Sequence, residues 1–278
     1  MSVIAFGKPI AEKIKSELKE YAQNLERPLR FHILYVGSDP VIDNFISYKK
    51  KFGKAIGVNV VIHNIDADIQ QEDMITYIRT HQESADGMIV QLPLPKHLNT
   101  QIVLDAIPPQ KDVDVLSSTT RELFKKGDTP FLPAVTGAII TVLKEHTIEL
   151  EDKKICLIGN GNLVGTPTAM WLSRQGYSYV IVTEETSDEE KKKQIKESDI
   201  IISGAGVRHI ITPTMISEGV VIIDAGTTES KKRVLGDMHP DCIPLTSLYT
   251  PVPGGIGPIT IAILYQNLIQ AHASFCHE

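Results

Sequence analysis

At 278 residues, with 42% hydrophobic and 22% charged side chains, the chain is long enough for two globular domains, each with its own core. Its net charge of -6 excludes the broad basic surface that nucleic-acid binding requires. Three widely spaced cysteines predict neither a disulfide framework nor a zinc site, and no apolar run is long enough for a membrane span, so we expect a cytoplasmic protein without a bound metal.

The amino-terminal half predicts the alternation of helices and strands that builds a parallel sheet. Apolar residues recur at helical spacing over residues 5–25 and 70–81, and a shorter helix is expected near residues 102–106. Short apolar runs indicate buried strands at residues 30–36, 58–62 and 87–91.

A helix that begins near Asp39 and Pro40 carries a lysine, Lys49, in the middle of its predicted apolar face. The other members of that face are Val41, Phe45, Tyr48, Phe52 and Ile56. One interpretation is that Lys49 extends its ammonium to solvent from a buried stem. The other is that a cleft holds Lys49 partly desolvated, with a lowered pKa that suits proton transfer.

Two further polar residues lie where a ligand could reach them. Gln91 ends a predicted strand before two prolines, and ligands of parallel sheets bind at the carboxyl ends of strands. Asp114 ends the segment Lys111-Asp112-Val113-Asp114, which follows two other prolines. For Gln91 the alternative is an ordinary exit into a loop, and for Asp114 it is a solvated turn.

The second half contains a strand at residues 154–158, the turn Gly159-Asn160-Gly161-Asn162-Leu163-Val164-Gly165, a helix to residue 173 and a strand at residues 179–183. Glycines between a strand and a helix let the backbone approach a pyrophosphate, which the helix amino terminus stabilises. Gly165 stands one residue later than in the usual fingerprint. We therefore predict nucleotide binding by Gly159, Asn160, Gly161 and Gly165.

Glu184 and Glu185 follow the second strand of this unit. A carboxylate there accepts a hydrogen bond from the ribose 2'-hydroxyl of NAD and repels the 2'-phosphate of NADP. The alternative is that both are solvated residues at the start of a helix over residues 187–196. Strands at residues 199–203 and 220–224 complete a doubly wound sheet, and the small residues after them, including Thr227, leave space for a cofactor.

The segment at residues 250–260 contains three prolines and three glycines before a final apolar helix. A flexible linker would be polar, so this apolar segment favours a rigid loop that lines a ligand and contains a cis proline. We assign Thr250 to the cofactor and Pro253, Gly254 and Gly255 to the substrate.

These motifs together resemble the bifunctional methylenetetrahydrofolate dehydrogenase/methenyltetrahydrofolate cyclohydrolase family over essentially the whole chain. The matching segments are VG..P with a helical lysine, VQLPLP, P.KDVD, G.G..VG.P, LGD at residues 235–237, and TPVPGGIGPIT. The resemblance implies an α/β homodimer with a folate-binding catalytic domain at residues 1–120 and 257–278. It also implies a Rossmann dinucleotide-binding domain at residues 121–256 and a cleft between the two domains.

The resemblance also implies roles for single residues. Lys49 matches the catalytic lysine, Gln91 the glutamine that positions and tunes it, and Asp114 the aspartate that binds the pterin. The implied reactions oxidise methylenetetrahydrofolate with NADP and hydrolyse the methenyl product to 10-formyltetrahydrofolate. A lysine of moderate pKa suits the proton transfers of the hydrolysis.

The chain departs from the family pattern in four places. Phe45, in the substrate site, replaces a tyrosine and lacks its hydroxyl, Val115 replaces a glycine, and residues 133–136 read PAVT instead of PCTP. Asn160 replaces an arginine that helps to hold the 2'-phosphate, and with Glu184 and Glu185 it indicates NAD. Alternative hypotheses are a folate-binding paralogue with reduced catalysis, a dehydrogenase with weak cyclohydrolase activity, and another Rossmann oxidoreductase.

Overall fold

The computed structural model describes residues 2–230 and 233–275. The helices are α1 (Gly7–Gln23), α2 (Pro40–Ala55), α3 (Gln71–His81), α4 (Thr100–Asp105), α5 (Ser118–Lys126), α6 (Ala134–Glu145), α7 (Gly165–Gln175), α8 (Asp188–Lys196) and α9 (Ile256–Phe275). The strands are β1 (Val3–Ile4), β2 (Arg30–Val36), β3 (Asn59–Ile65), β4 (Gly87–Val90), β5 (Ile155–Ile158), β6 (Tyr179–Val182), β7 (Ile200–Ser203), β8 (Val220–Asp224), β9 (Thr228–Ser230), β10 (Arg233–Leu235) and β11 (Thr246–Tyr249).

The chain divides into two compact units, each built from two separate segments. The six-stranded unit spans Met1–Ala11 and Val135–Thr260, and the three-stranded unit spans Glu12–Ala134 and Ile261–Glu278. The division predicted from sequence differs, because it changes domain after residue 120 and assigns the first residues to the catalytic domain. In the structure β1 pairs with β11, which places the first residues in the six-stranded unit.

The larger sheet is entirely parallel, with the strand order β1-β11-β8-β7-β5-β6. Its central strands β5, β7 and β8 are buried at every position, as continuous runs of Ile and Val predict for a sheet covered on both faces. The order reverses at β5, whose neighbours are β6 on one side and β7 on the other. Dinucleotides bind at such a switch point, outside the carboxyl ends of the strands.

The smaller sheet has the parallel order β3-β2-β4. Its central strand β2 is buried from Phe31 to Val36. A core cluster that includes Met74, Ile78 and Val103 packs in this unit. Because β2 and β4 pair in parallel, their carboxyl ends lie side by side. The chain leaves β2 toward the start of α2, and it leaves β4 at Gln91.

Helix α2 begins as its sequence predicts. Asp39 caps it by accepting hydrogen bonds from the backbone N–H groups of Val41 and Ile42, and Pro40 takes the first turn. The predicted apolar face is wrong, however, for Phe45 and Tyr48, whose side chains are 41% and 58% exposed.

The buried face of α2 is centred on Gly53 instead of on a large apolar residue. A Cβ added at Gly53 would lie 2.4 Å from a methyl group of Val60 and 2.5 Å from the hydroxyl of Tyr265. The helix is therefore packed through its smallest residue, which hydrophobic spacing cannot reveal. Ile46 is also buried, and Lys49 lies between it and Gly53 on this side.

Several elements are absent from the sequence prediction. Strand β1 has only two residues and both are exposed, and the hairpin of β9 and β10 is short and polar, so neither has the pattern of a strand. Helix α5 also lacks a counterpart in the prediction, and it spans the predicted domain boundary after residue 120. Its signals were local: Ser117 caps its first turn, and Gly127 ends it at φ +85°.

Candidate functional site

Lys49 and Gln91 form a direct hydrogen bond in the three-stranded unit. The Lys49 ammonium donates to Oε1 of Gln91 at 2.7 Å. The same Gln91 side chain is oriented by its Nε2 group, which donates to the carbonyl of Leu92 at 2.8 Å. Its backbone N–H donates to Leu34 of β2 at 2.8 Å, so the end of the sheet fixes the acceptor that meets the lysine.

The pKa of Lys49 is lowered from its ordinary value because burial penalises the ammonium, while the negative charge of Asp114 acts in the opposite direction. Burial likewise raises the pKa of Asp114 to about 6, against the stabilising charge of Lys49. Both groups can therefore change protonation state more readily than exposed ones. The shift of the Lys49 pKa is in the direction that favours proton transfer by a lysine.

The turn that carries Asp114 is held by the buried carboxylate of Asp112. That carboxylate accepts hydrogen bonds from the backbone N–H of Leu116 at 3.1 Å and of Ser117 at 2.8 Å. Val115, next to Asp114, adopts φ +59° and is 1% exposed. A β-branched residue in this left-handed region is strained, and a glycine would not be.

Helix α9 supplies two residues that sequence reasoning missed. Tyr265 donates its hydroxyl to the backbone carbonyl of Lys49 at 2.6 Å and stacks on Phe52 with ring centroids 5.1 Å apart. Asn267 donates to the carbonyls of Val113 at 2.8 Å and Leu132 at 2.7 Å. One helix thus holds both the helix of Lys49 and the turn of Asp114. A polar side chain on an otherwise apolar helix was the available signal.

The glycines of the turn between β5 and α7 have distinct structural reasons. Gly159 adopts φ +93°, and a Cβ added at Gly165 would lie 2.0 Å from the carbonyl oxygen of Gly159. Gly161 is exposed and faces open space. The first and last glycines therefore bring the amino terminus of α7 close to the strand end, and the middle one leaves room above the turn. This cradle fits a pyrophosphate.

The remaining predicted cofactor residues lie in the same unit in different environments. Asn160, Glu184, Glu185 and Thr227 are exposed after the carboxyl ends of β5, β6 and β8. Thr250 is 1% exposed, and its hydroxyl accepts a hydrogen bond from the backbone N–H of Asp224 at 2.7 Å. That hydroxyl connects the ends of β8 and β11.

The segment predicted to line the substrate lies between β11 and α9. The expected cis proline is confirmed at Val252–Pro253, and Leu92–Pro93 is a second cis bond. Gly254 adopts φ +107°, and its carbonyl accepts a hydrogen bond from Gly7 at 2.8 Å. The segment is therefore an ordered loop joined to the start of α1.

Two family models match this sequence. Residues 6–114 match the catalytic domain of tetrahydrofolate dehydrogenase/cyclohydrolase, and residues 133–276 match the NAD(P)-binding domain of the same enzyme. The chain belongs to this family. The family domains coincide with the lysine site and with the glycine turn, which sequence motifs had indicated separately.

Individual members of the family match along their full length. The bifunctional protein FolD of Aquifex aeolicus is 31% identical over 286 residues, covering 100% of this chain and 98% of its own. The FolD dehydrogenase/cyclohydrolase structure from Campylobacter jejuni has a TM-score of 0.94 at 30% identity, covering 99% of this chain and 100% of that one. The Trypanosoma brucei enzyme, solved with NADP and an inhibitor, has a TM-score of 0.94 at 25% identity, with coverages of 100% and 99%.

The structure brings together Lys49, Gln91 and Asp114 in one unit, as the family resemblance implied. Phe45 lies one turn before Lys49 on α2 and is 41% exposed. Within residues 2–230 and 233–275, no group of three His, Cys, Asp or Glu side chains is arranged so that it could hold a metal ion. None of the helices described there has the length and apolar character needed to cross a bilayer.

Proposed function

We propose that the protein interconverts methylene-, methenyl- and 10-formyltetrahydrofolate, with Lys49 as the proton-transferring residue. The observation that carries this proposal is the 2.7 Å hydrogen bond from Lys49 to Gln91, in a site where burial lowers the lysine pKa. Membership in the tetrahydrofolate dehydrogenase/cyclohydrolase family supports the substrate class.

In the first reaction a hydride passes from the methylene carbon to a nicotinamide ring, which is the chemistry that the dinucleotide supplies when bound. The cradle of Gly159, Gly161 and Gly165 would hold its pyrophosphate. The chain's contribution to this step is to orient the reactants and to stabilise charge on the folate, for which we propose Asp114. Pro253, Gly254 and Gly255 remain our proposal for the loop that lines the folate, together with Phe45.

In the second reaction water adds to the methenyl carbon and loses a proton. A ring carbon–nitrogen bond then breaks as its nitrogen gains a proton, and the new hydroxyl loses its proton as the formyl C=O forms, so that one proton is released overall. Neutral Lys49 can accept the proton from water, and its ammonium can return one to the departing nitrogen. Gln91 keeps the amine in place by accepting its hydrogen bond, whichever protonation state it holds. The lowered pKa favours the neutral amine more than in an exposed lysine, which suits a group that must first accept a proton.

Replacement of Lys49 tests this role. We expect Lys49→Met to reduce cyclohydrolase turnover by about a hundredfold or more, the range that loss of a general acid–base group produces. Lys50→Met is the matched control, because Lys50 is exposed on the same helix and should be dispensable. Both variants are assayed by decay of methenyltetrahydrofolate absorbance. Retained activity in Lys49→Met would refute the assignment, whereas wild-type protein that binds folate without turnover would favour the non-catalytic paralogue.

We infer that the dinucleotide is NAD in preference to NADP. Asn160 offers no positive charge to a 2'-phosphate, and Glu184 and Glu185 are exposed after β6, where they would repel one. The Trypanosoma brucei relative was solved with NADP, so this preference would distinguish the present chain from that one.

Parallel steady-state assays with NAD and NADP measure the preference. We expect Asn160→Arg to raise kcat/KM with NADP by about tenfold, because a guanidinium can form charge-assisted hydrogen bonds to the phosphate. Asn162→Arg adds the same charge at another exposed position of the turn and should change it much less. A wild-type enzyme that prefers NADP would contradict the inference.

We also propose that the protein is a homodimer in the cytoplasm. Within the described residues, β6 pairs only with β5, and its side chains Val180 and Ile181 are 36% and 40% exposed. An apolar edge strand of this kind suits pairing with a second copy. Cys156 and Cys242 are free thiols, which supports a reducing compartment; Cys276 lies outside the described residues.

A further inference from the structure

Two buried carboxylates at the carboxyl edge of the six-stranded sheet have no part in the mechanism above. Asp237 is 0% exposed and Asp224 is 3% exposed. A buried carboxylate is tolerated only when hydrogen-bond donors compensate for the lost water. The identity of those donors therefore indicates what each carboxylate holds in place.

Asp237 accepts hydrogen bonds from three donors, which lie at the end of β7 and in the loop that follows it. Its Oδ2 atom accepts from the Ser203 hydroxyl at 2.6 Å and from the Ala205 backbone N–H at 2.9 Å. Its Oδ1 atom accepts from the Val207 backbone N–H at 2.9 Å. One carboxylate thus fixes both the direction and the curvature of the loop at residues 204–207.

Asp224 holds the segment that carries Asp237. It accepts hydrogen bonds from the backbone N–H groups of Gly226 and Met238, each at 2.9 Å. Burial foremost, and the charge of Asp237, raise the pKa of Asp224 to about 6. The loops after β7 and β8 are therefore joined through two neighbouring acidic side chains.

Glycines leave the space that these carboxylates occupy. A Cβ added at Gly226 would lie 2.1 Å from the carboxyl carbon of Asp237, and one added at Gly236 would lie 2.2 Å from Oδ2 of Asp224. These contacts are too short for any side chain, so each carboxylate is packed directly against backbone. The arrangement is rigid because both partners of each contact are constrained.

The loop that Asp237 holds also packs against the glycine turn. A Cβ added at Gly204 would lie 2.4 Å from Cβ of Val164, and one added at Gly159 would lie 3.1 Å from Cα of Ala205. Displacement of residues 204–207 would therefore open or close the space beside the turn at residues 159–165. This is the switch point of the sheet, between β5 and β7.

We propose that Asp237 is a positioning residue for the nicotinamide dinucleotide, acting through the loop at residues 204–207. The inference rests on the proposed function, because it requires a dinucleotide at the glycine turn. Asp237 would contact the loop and not the reacting atoms. Its effect should appear in dinucleotide binding and leave the hydrolytic reaction, which uses no dinucleotide, unchanged.

Asp237→Asn tests the proposal with almost no change in size. The amide has one acceptor oxygen, and its NH2 group would face N–H donors, so at least one donor loses its partner. We expect the KM for the dinucleotide to rise by about tenfold or more, with unchanged cyclohydrolase kcat. Ser203→Ala removes one donor and leaves no unsatisfied backbone group, so its rise should be about threefold.

Asp199→Asn is the matched control. Its carboxylate also accepts a backbone hydrogen bond, from Lys154 at 2.9 Å, but precedes β7 at the opposite edge of the sheet. We expect its dinucleotide KM to equal that of the wild type. An unchanged KM in folded Asp237→Asn would overturn the proposal. A parallel loss of both activities with a lowered Tm would also overturn it, since a merely structural residue behaves in that way.

Two further measurements keep the proposal testable. If Asp237→Asn does not fold, Ser203→Ala decides alone: a raised dinucleotide KM with normal cyclohydrolase activity supports the proposal, and an unchanged KM refutes it. If the wild type oxidises no methylenetetrahydrofolate, the proposed function fails separately. NAD and NADP are then titrated directly against the wild type and Asp237→Asn. Binding is followed by the fluorescence of the single tryptophan, Trp171 of α7. Equal Kd values would refute the role of Asp237.

Discussion

At the scale of single residues, Lys49 is governed by two opposing effects. Burial lowers the pKa of its ammonium, and the charge of Asp114 partly restores it. For Asp114 the two effects act in the converse directions. Burial raises the pKa of its carboxyl, the charge of Lys49 opposes that rise, and the pKa is about 6. Burial thus favours the uncharged form of each group, the direction of shift that suits residues that repeatedly gain and lose a proton.

The spacing of α2 identified Lys49 as unusual, but for an incomplete reason. Phe45 and Tyr48, which we placed beside it on a buried face, are largely exposed. The hydrogen bond to Gln91 joins residues 42 positions apart, and no local pattern encodes such a distance. The family resemblance supplied that association, and packing around Gly53 explains how the helix presents the lysine.

Val115 provides a residue-scale prediction. Its φ of +59° costs roughly 1–3 kcal/mol for a side chain with a Cβ branch. Val115→Gly loses buried surface but removes this strain, whereas Val113→Gly, at a buried position without a positive φ, loses buried surface alone. We expect the free energy of unfolding to fall by about 1–3 kcal/mol less for Val115→Gly than for Val113→Gly. Urea titrations measure the difference, and equal losses would exclude strain at Val115.

At the scale of secondary structure, the sequence predicted the parallel strands and glycine turn well, because each carries a local signal. The strand at residues 220–224 was placed at its observed bounds, and Ser187 caps α8 where the predicted helix begins. The short strands β1 and β11 were missed. Strand β1 is stabilised by pairing with residues far along the chain, which no local pattern predicts.

Strands β2 and β3 and helix α3 together bury a histidine cluster. Nε2 of His63 lies 3.2 Å from Nδ1 of His32, and Nδ1 of His63 lies 3.0 Å from the Tyr77 hydroxyl. Burial, then the charges of His63, His81 and Arg30, lower the pKa of His32 to about 4, and Asp86 opposes them. Between about pH 6.5 and about pH 4, His32 is therefore mainly neutral in the folded protein and mainly protonated in the unfolded chain.

This cluster predicts a loss of stability in acid. The contribution of neutral His32 is complete above the ordinary histidine pKa of 6.5 and is lost as the pH falls toward 4, amounting to about 3 kcal/mol. His32→Asn cannot titrate, so between about pH 7.5 and about pH 4.5 its unfolding free energy should fall by about 3 kcal/mol less than that of the wild type. Asp114 and Asp224, with raised pKa values, act oppositely in both proteins and cancel. Parallel acid dependence in urea unfolding would contradict this explanation.

At the scale of the whole molecule, the proposed dimer makes a further prediction. Lysine on an edge strand opposes pairing because its charge would be buried against a second sheet. We expect Ile181→Lys to be monomeric at concentrations where the wild type is dimeric. Ser178→Lys adds the same charge at an exposed position just before β6 and should leave the dimer intact. Sedimentation velocity distinguishes them, and a monomeric wild type would refute the proposed assembly.

The pairing of β1 with β11 has a consequence for biosynthesis. Val3 lies opposite Leu248 and Ile4 opposite Tyr249, and the Ser2 and Thr246 hydroxyls are 2.6 Å apart. Strand β1 must therefore wait for a partner strand that is synthesised roughly 245 residues later. Until residue 249 emerges, the outer edge of β8 also lacks its neighbour, β11. Such late, long-range closure is slow, and during that interval the nascent chain exposes an unpaired sheet edge on which chaperones can act.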